Sequence, residues 1–126
     1  MNHIKYRPGQ VWDYKHRDSE PLSTLTILKL TTQPSGVTVI HIAVDNVHIT
    51  DVSGKELSHT ISHTVINSDS LDRSVTQLVR ESSTVPDFAE GYAAWVKGKG
   101  GSFTGTVAEV VAIMEDTMRY GEAPTQ

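Results

Sequence analysis

Cysteine is absent from this 126-residue chain, which excludes disulfide staples, thiol nucleophiles, iron–sulfur clusters and thiolate zinc sites together. Long apolar runs are missing too. Nothing approaches the roughly 18 residues of a membrane-spanning helix, and Met1 to Pro8 has no signal-peptide apolar segment. A soluble, cytoplasmic protein with no membrane partner is expected. There is no surplus of positive charge: the formal net charge is −4 and the sequence pI about 5.8, which argues against a nucleic-acid partner. The charge is unevenly spread. Residues 1–30 hold five basic and three acidic side chains, whereas the remainder holds six basic and twelve acidic ones.

What is present suffices for a folded core. Hydrophobic residues make up 37% and charged residues 21%, outside the range of a disordered tail, and the length suits a single domain over 1–126. The first half reads as four strands. Gln10 to Tyr14 carries Val11, Trp12 and Tyr14, and Ser23 to Thr31 is rich in β-branched residues. Val37 to Val47 is the longest apolar run, and a last strand is expected near Ser58 to Ile66. Gln33-Pro34-Ser35-Gly36 and Asp51-Val52-Ser53-Gly54-Lys55 supply the turns between them. A turn at 33–36 sets Leu25, Ile27 and Lys29 opposite Val44, Ile42 and Ile40, on one face to be buried.

The second half changes period. Leu71, Val75, Leu78 and Val79 fall on one helical stripe, predicting a helix over about 69–80. Phe88, Tyr92, Trp95 and Val96 predict a second over about 87–97, ended by Gly98. Thr106 and Glu109 form a capping box ahead of Val107, Val110, Val111, Met114 and Met118, predicting a third over about 107–119 with Gly121 as C-cap. Strands followed by helices give the α+β class: a four-stranded antiparallel sheet over about 10–66 with three helices on one face. Glu122 to Gln126 is expected to fray.

Candidate chemistry starts with six histidines. His59 and His63 have the spacing that chelates a metal on a helix, but on a strand they lie about 13 Å apart and cannot share an ion. A two-residue turn at Ser53-Gly54 instead sets His48 against His59 and His63 against Val44. The pair could bind zinc with Asp51, Glu56 or water, against the plainer reading of solvent-edge histidines. No serine occupies a nucleophile elbow, so no catalytic residue is assigned. Lys97-Gly98-Lys99-Gly100-Gly101-Ser102 lacks the P-loop order and reads as a helix–helix connection. Trp12, Tyr14, Arg17 and Glu20 are the candidate binding residues, because Trp, Tyr and Arg anchor protein interfaces; the alternative is a core Trp12 beside a surface Arg17–Glu20 ion pair.

The string Tyr6-x-Pro8-Gly9-x-Val11-Trp12-x-Tyr14-x-x-Arg17-x-x-Glu20-x-x-Ser23-x-Leu25-x-Ile27 is followed by His41-Ile42. Pro86-Asp87-Phe88-x-x-Gly91-Tyr92-x-x-Trp95 and Phe103-Thr104-x-x-Val107-x-Glu109 complete the pattern. It resembles a family of short, uncharacterised bacterial proteins of about this length. The resemblance implies a bacterial, single-domain, cytoplasmic protein and brings no catalytic residue.

The leading expectation is a non-enzymatic binding or protein-interaction domain without cofactor. Its partner would be another protein or a second copy, met by the Trp12–Glu20 region or by a helix-free sheet face of Thr26, Leu28, Leu30, Val39, His41 and Ala43. An immunity-type inhibitor of a toxin is one form of this class. The alternatives are a metal or hydrolytic site on His48, His59 and His63, and a small-ligand pocket lined by Trp12, Tyr92 or Trp95.

Overall fold

The computed structural model describes residues 5–98 and 101–120. The expected Gly121 C-cap, the tail at 122–126 and Lys99-Gly100 of the glycine-rich connection lie outside them. Five strands form one sheet, β1 (Gln10–Tyr14), β2 (Thr24–Thr32), β3 (Thr38–Thr50), β4 (Glu56–Asn67) and β5 (Val75–Glu81), in the spatial order β4-β3-β2-β1-β5. Every paired neighbour is antiparallel. The helices are α1 (Ser68–Asp72), α2 (Ala89–Lys97) and α3 (Val107–Tyr120). The class is therefore α+β, with five strands where four were expected.

The two hairpins use the same chemistry. Gly36 N donates to Gln33 O at 2.8 Å and Gln33 N to Val37 O at 2.8 Å; Gly54 N donates to Asp51 O at 2.9 Å and Asp51 N to Lys55 O at 2.8 Å. Both glycines sit at φ +91°, where a side chain would be strained. Asp51 Oδ1 accepts from Ser53 N, Ser53 Oγ and Lys55 N, bonds that hold its carboxyl below the usual carboxylate range. The β3–β4 loop is thus one residue longer than the expected two-residue turn.

Register follows the turn arithmetic until a bulge interrupts it. Leu25 faces Val44 and Ile27 faces Ile42, as expected. An irregularity between Ile27 and Lys29 then sets Lys29 against His41 and Leu30 against Ile40. A one-residue slip exchanges the faces of a strand. Lys29 therefore joins His41 on one side, and Leu30 packs against the main core on the other, the reverse of the expected assignment.

The largest correction concerns residues 69–80. The helix stops at Asp72, and Val75–Glu81 is a strand. Its apolar stripe fits a helix, but β-branched Val75, Thr76 and Val79 suit a pleat, and β1 has an edge to fill. Tyr14 pairs with Val75, Trp12 with Leu78 and Gln10 with Glu81, and Lys15 N donates to Ser74 O at 2.8 Å. Tertiary pairing outweighed local period.

That link bends the sheet. Asn67 ends β4 beside Val39, whereas Val75 begins β5 beside Tyr14, at the diagonally opposite corner of the sheet. In a flat sheet these corners would lie about 28 Å apart, but a connection with five helical residues and three extended steps reaches only about 18 Å. The sheet must curl toward α1. Its inner face holds Leu25, Ile27, Ile40, Ile42, Val44 and Ile66, closed by Leu71 of α1 and by Val107, Val110 and Val111 of α3. The α3 cap forms as expected: Thr106 N donates to Glu109 Oε1 at 2.8 Å and Glu109 N to Thr106 Oγ1 at 3.3 Å.

The outer face is not free of helix, contrary to expectation. His41 lies between Ile40 and Ile42 along β3, so its side chain is on the opposite side of the sheet, where Tyr92 and Trp95 of α2 meet it. Thr26, Leu28, Val39, His41 and Ala43 are all buried. Among the described residues no helix is long and apolar enough to cross a membrane.

Strand and helix readings of 75–81 make opposite predictions for two leucines. Leu71→Ala should destabilise by about 2–5 kcal/mol in urea unfolding because Leu71 is fully buried; Leu78→Ala, on the exposed β5, should cost under about 1 kcal/mol. Equal large losses would restore the helix.

Candidate functional site

The expected binding residues do not make one surface. Trp12 packs against the core with its ring edge-on to Tyr6 at 5.7 Å, and Trp12 Nε1 donates to Gln10 Oε1 at 3.1 Å. Tyr14 is buried and hydrogen-bonded to Ser23 Oγ at 2.7 Å; burial pushes its hydroxyl pKa up to about 12.

Arg17 and Glu20 form a clamp. Glu20 is fully buried, so the pair is not the surface ion pair that was the plainer reading. Glu20 accepts from Arg17 Nε at 3.0 Å and Arg17 Nη2 at 2.8 Å, and from His48 N at 2.6 Å. Arg17 Nη1 also donates to Glu115 Oε1 at 2.9 Å, while Thr50 N donates to Glu115 Oε2 at 2.9 Å. Burial alone would raise the Glu115 pKa, but the Thr50 amide and the Arg17 guanidinium outweigh it and hold the carboxyl below its usual range. Arg119 Nε completes the network by donating to Thr50 O at 2.6 Å. Glu115 and Arg119 were missed because they stand one α3 turn apart and some hundred residues beyond Arg17.

The hairpin histidines divide. His48 Nδ1 and His59 Nδ1 lie 3.8 and 4.0 Å from the two oxygens of Glu56, all three side chains more than half exposed. His63 does not join them. The β3–β4 register shifts between Val44 and Ile42, so Val44 faces Ile61, and His63 turns to the outer face. Among the described residues no group of three or more His, Asp or Glu is arranged to hold a metal ion.

On the outer face the sequence pattern becomes a site. His41 is fully buried; its Nε2 shares a hydrogen bond of 3.0 Å with Thr31 Oγ1, and its Nδ1 one of 2.9 Å with His63 Nε2. Phe88 stacks on His63 at 5.9 Å and 11°, and Trp95 meets His41 edge-on at 4.6 Å. Desolvation, then the His63 and Lys29 charges, lower the His41 pKa to about 4; burial lowers that of His63 as well. Near neutral pH both imidazoles are uncharged. Gly91 explains how α2 comes so close, since a Cβ there would lie 2.6 Å from His63 Cβ. It falls on the stripe of Phe88, Tyr92 and Trp95, and a glycine amid an aromatic stripe was the one sequence signal for this contact.

A cleft of about 570 Å³ opens between α2 and β4. Trp95, Ala94 and Gly91 form one wall, His63 and Val65 another, and Phe103 with Gly101 and Ser102 a third. Phe103 is anchored to the free edge of β4 by Phe103 N donating to Val65 O and Asn67 N to Phe103 O, both at 2.9 Å. Trp95 Nε1 donates to Gly101 O at 2.7 Å, and Ser102 Oγ to Asn67 Oδ1. A smaller cavity of about 330 Å³, lined by Lys29, Pro86, Phe88 and Tyr92, lies on the other side of α2.

No family model, curated protein or solved structure matches the chain.

Two outcomes test this geometry. Arg17→Met strands the buried Glu20 carboxylate and should cost about 3 kcal/mol or more in urea unfolding, well above the loss of a surface pair; under about 1 kcal/mol would contradict the clamp. An unfolded His41 takes its proton below pH 6.5 and the folded one only near pH 4, so the unfolded state gains protons first and stability falls as pH drops through this window. The groups facing this imidazole are Lys29 on β2, His63 on β4 and Tyr92 on α2. Stability at pH 5 should lie about 2 kcal/mol below that at pH 7, and His41→Phe should flatten this dependence.

Proposed function

We propose that this protein is a non-enzymatic binding domain whose ligand site is the cleft between α2 and β4. The observation that carries this reading is the combination of size and lining. About 570 Å³ suits a small organic molecule, and the walls are aromatic and apolar with a few polar groups at His63, Thr64 and Ser102. No Lys, Arg, Asp or Glu is among the described lining residues. Backbone bonds at Phe103 and the Trp95–Gly101 bond hold the mouth in shape, so little ordering accompanies binding.

The same observation weighs between two forms of the binding class. A protein partner on the outer sheet face would have to displace α2, whereas a small ligand needs only the space beside it. Hydrolytic chemistry has less support, because among the described residues the imidazole pair has no serine or carboxylate in hydrogen-bond contact. A bacterial cytoplasmic setting belongs to the same proposal and rests on the family resemblance.

A neutral fluorescent probe, N-phenyl-1-naphthylamine, tests the site. Wild-type protein should enhance its emission with a Kd of about 100 μM or below, and Gly101→Leu or Ala94→Phe should weaken binding at least about tenfold without lowering the unfolding midpoint. Gly101 suits the purpose because a Cβ there meets nothing within 4 Å. Binding that both variants leave intact would overturn the assignment.

A further inference from the structure

The cleft contains an unusual polar feature. His63 lines it, and His63 Nδ1 makes no hydrogen bond within the described structure while Nε2 is tied to His41. Behind His63 the bonds continue through His41 to the Thr31 hydroxyl. Each imidazole is neutral and carries one N–H, so the chain has two complete arrangements. In the first, Thr31 O–H donates to His41 Nε2, His41 Nδ1–H donates to His63 Nε2, and His63 Nδ1–H, beside the cleft residue Gly91, is left to donate. In the second, His63 Nε2–H donates to His41 Nδ1, His41 Nε2–H donates to Thr31 Oγ1, and His63 Nδ1 is left as an acceptor.

Both arrangements satisfy every group in the chain, because a hydroxyl at the far end donates or accepts equally well. Neither requires net charge. A valine at 31 would leave His41 Nε2 unpartnered in either arrangement, and a carboxylate there, which only accepts, would fix the second.

Building on the reading of this cleft as a ligand site, we infer that it takes an uncharged aromatic molecule with a single polar group, and that the Thr31–His41–His63 relay lets His63 Nδ1 meet that group as donor or as acceptor. Trp95 and Phe103 offer ring faces and edges to a planar ligand, with Ala94 and Val65 filling between. Ionised ligands are disfavoured because the described lining offers no counter-charge and the imidazoles resist protonation.

Four small probes separate the possibilities by NMR titration of the full chain with 15N-labelled histidine. Indole offers only a donor, acetophenone only an acceptor, toluene neither, and benzoate is anionic. Indole and acetophenone should both bind roughly threefold to tenfold more tightly than toluene, with benzoate weakest. The His63 Nδ1 resonance should move to the pyridine-like end with indole and to the pyrrole-like end with acetophenone. His63→Phe, which keeps a ring against Phe88, should bring indole and acetophenone to the toluene level and leave toluene unchanged. Thr31→Asp, which only accepts from His41 Nε2–H, should keep indole binding and bring acetophenone to the toluene level, with Thr31→Ser behaving as wild type. Binding of one polarity only, or binding of both without movement of the His63 tautomer, would overturn the relay. Failure of all four probes while N-phenyl-1-naphthylamine still binds would overturn the ligand class and spare the cleft; failure of that dye too would remove the site itself.

Discussion

The shortness of the link between β4 and β5 governs this molecule. Seven residues carry the chain from Asn67, at one corner of the sheet, to Val75 at the opposite corner, a span that only a curled sheet allows. Curling makes a concave face, and apolar side chains of β2, β3 and β4 fill it. The link itself, through Leu71, becomes part of the lid, and α3 completes it. Ser74 ties the two together by accepting the Val107 amide at 3.0 Å and donating to Ser70 O at 2.9 Å. The far end of α3 is held differently. There Arg17, Glu20, Glu115, Thr50 and Arg119 form a charged and hydrogen-bonded network at the edge of the core, in which every buried polar group has a partner.

Because the inner face is occupied by α1 and α3, the outer face had to be covered by what remained. From Glu81 at the edge strand the chain crosses to α2, which settles over β3 and β4 with a glycine against His63. Buried histidines are normally a cost to folding, since desolvation penalises the charged form and leaves polar atoms to be matched. Here the cost is limited by pairing. His41 satisfies both ring nitrogens, while His63, which lines the cleft, satisfies one among the described residues. Burial lowers the His63 pKa as well, which leaves a neutral polar group among the aromatic and apolar residues of the cleft, beside Thr64 and Ser102.

What the residues alone disclosed follows a physical rule. Features set within a few residues were readable: the two x-x-Ser-Gly turns, the Thr106–Glu109 capping box, the aromatic stripe of α2 ended at Gly98, and the pairing of Leu25 and Ile27 with Val44 and Ile42. Local hydrogen bonds and short-loop register depend on neighbouring positions only. The candidate binding residues Trp12, Tyr14, Arg17 and Glu20 were singled out by type, yet their surroundings came from distant segments, Arg17 meeting Glu115 across almost the whole chain.

The sequence by itself determined the α+β class, four of the five strands and the positions of α2 and α3, because periodicity and turn chemistry act locally. Tertiary structure alone decided that Val75–Glu81 is a strand, because the open edge of β1 could be paired only once the sheet existed. It alone decided that α2 lies opposite α1 and α3, because the curl had already assigned the inner face. The bulge beyond Ile27 and the shift before His63 turned Lys29 and His63 to the side on which alternation already placed His41, and no spacing rule anticipates a bulge. The cleft arises from the last two of these nonlocal outcomes, where α2 lies over β4 beside His63.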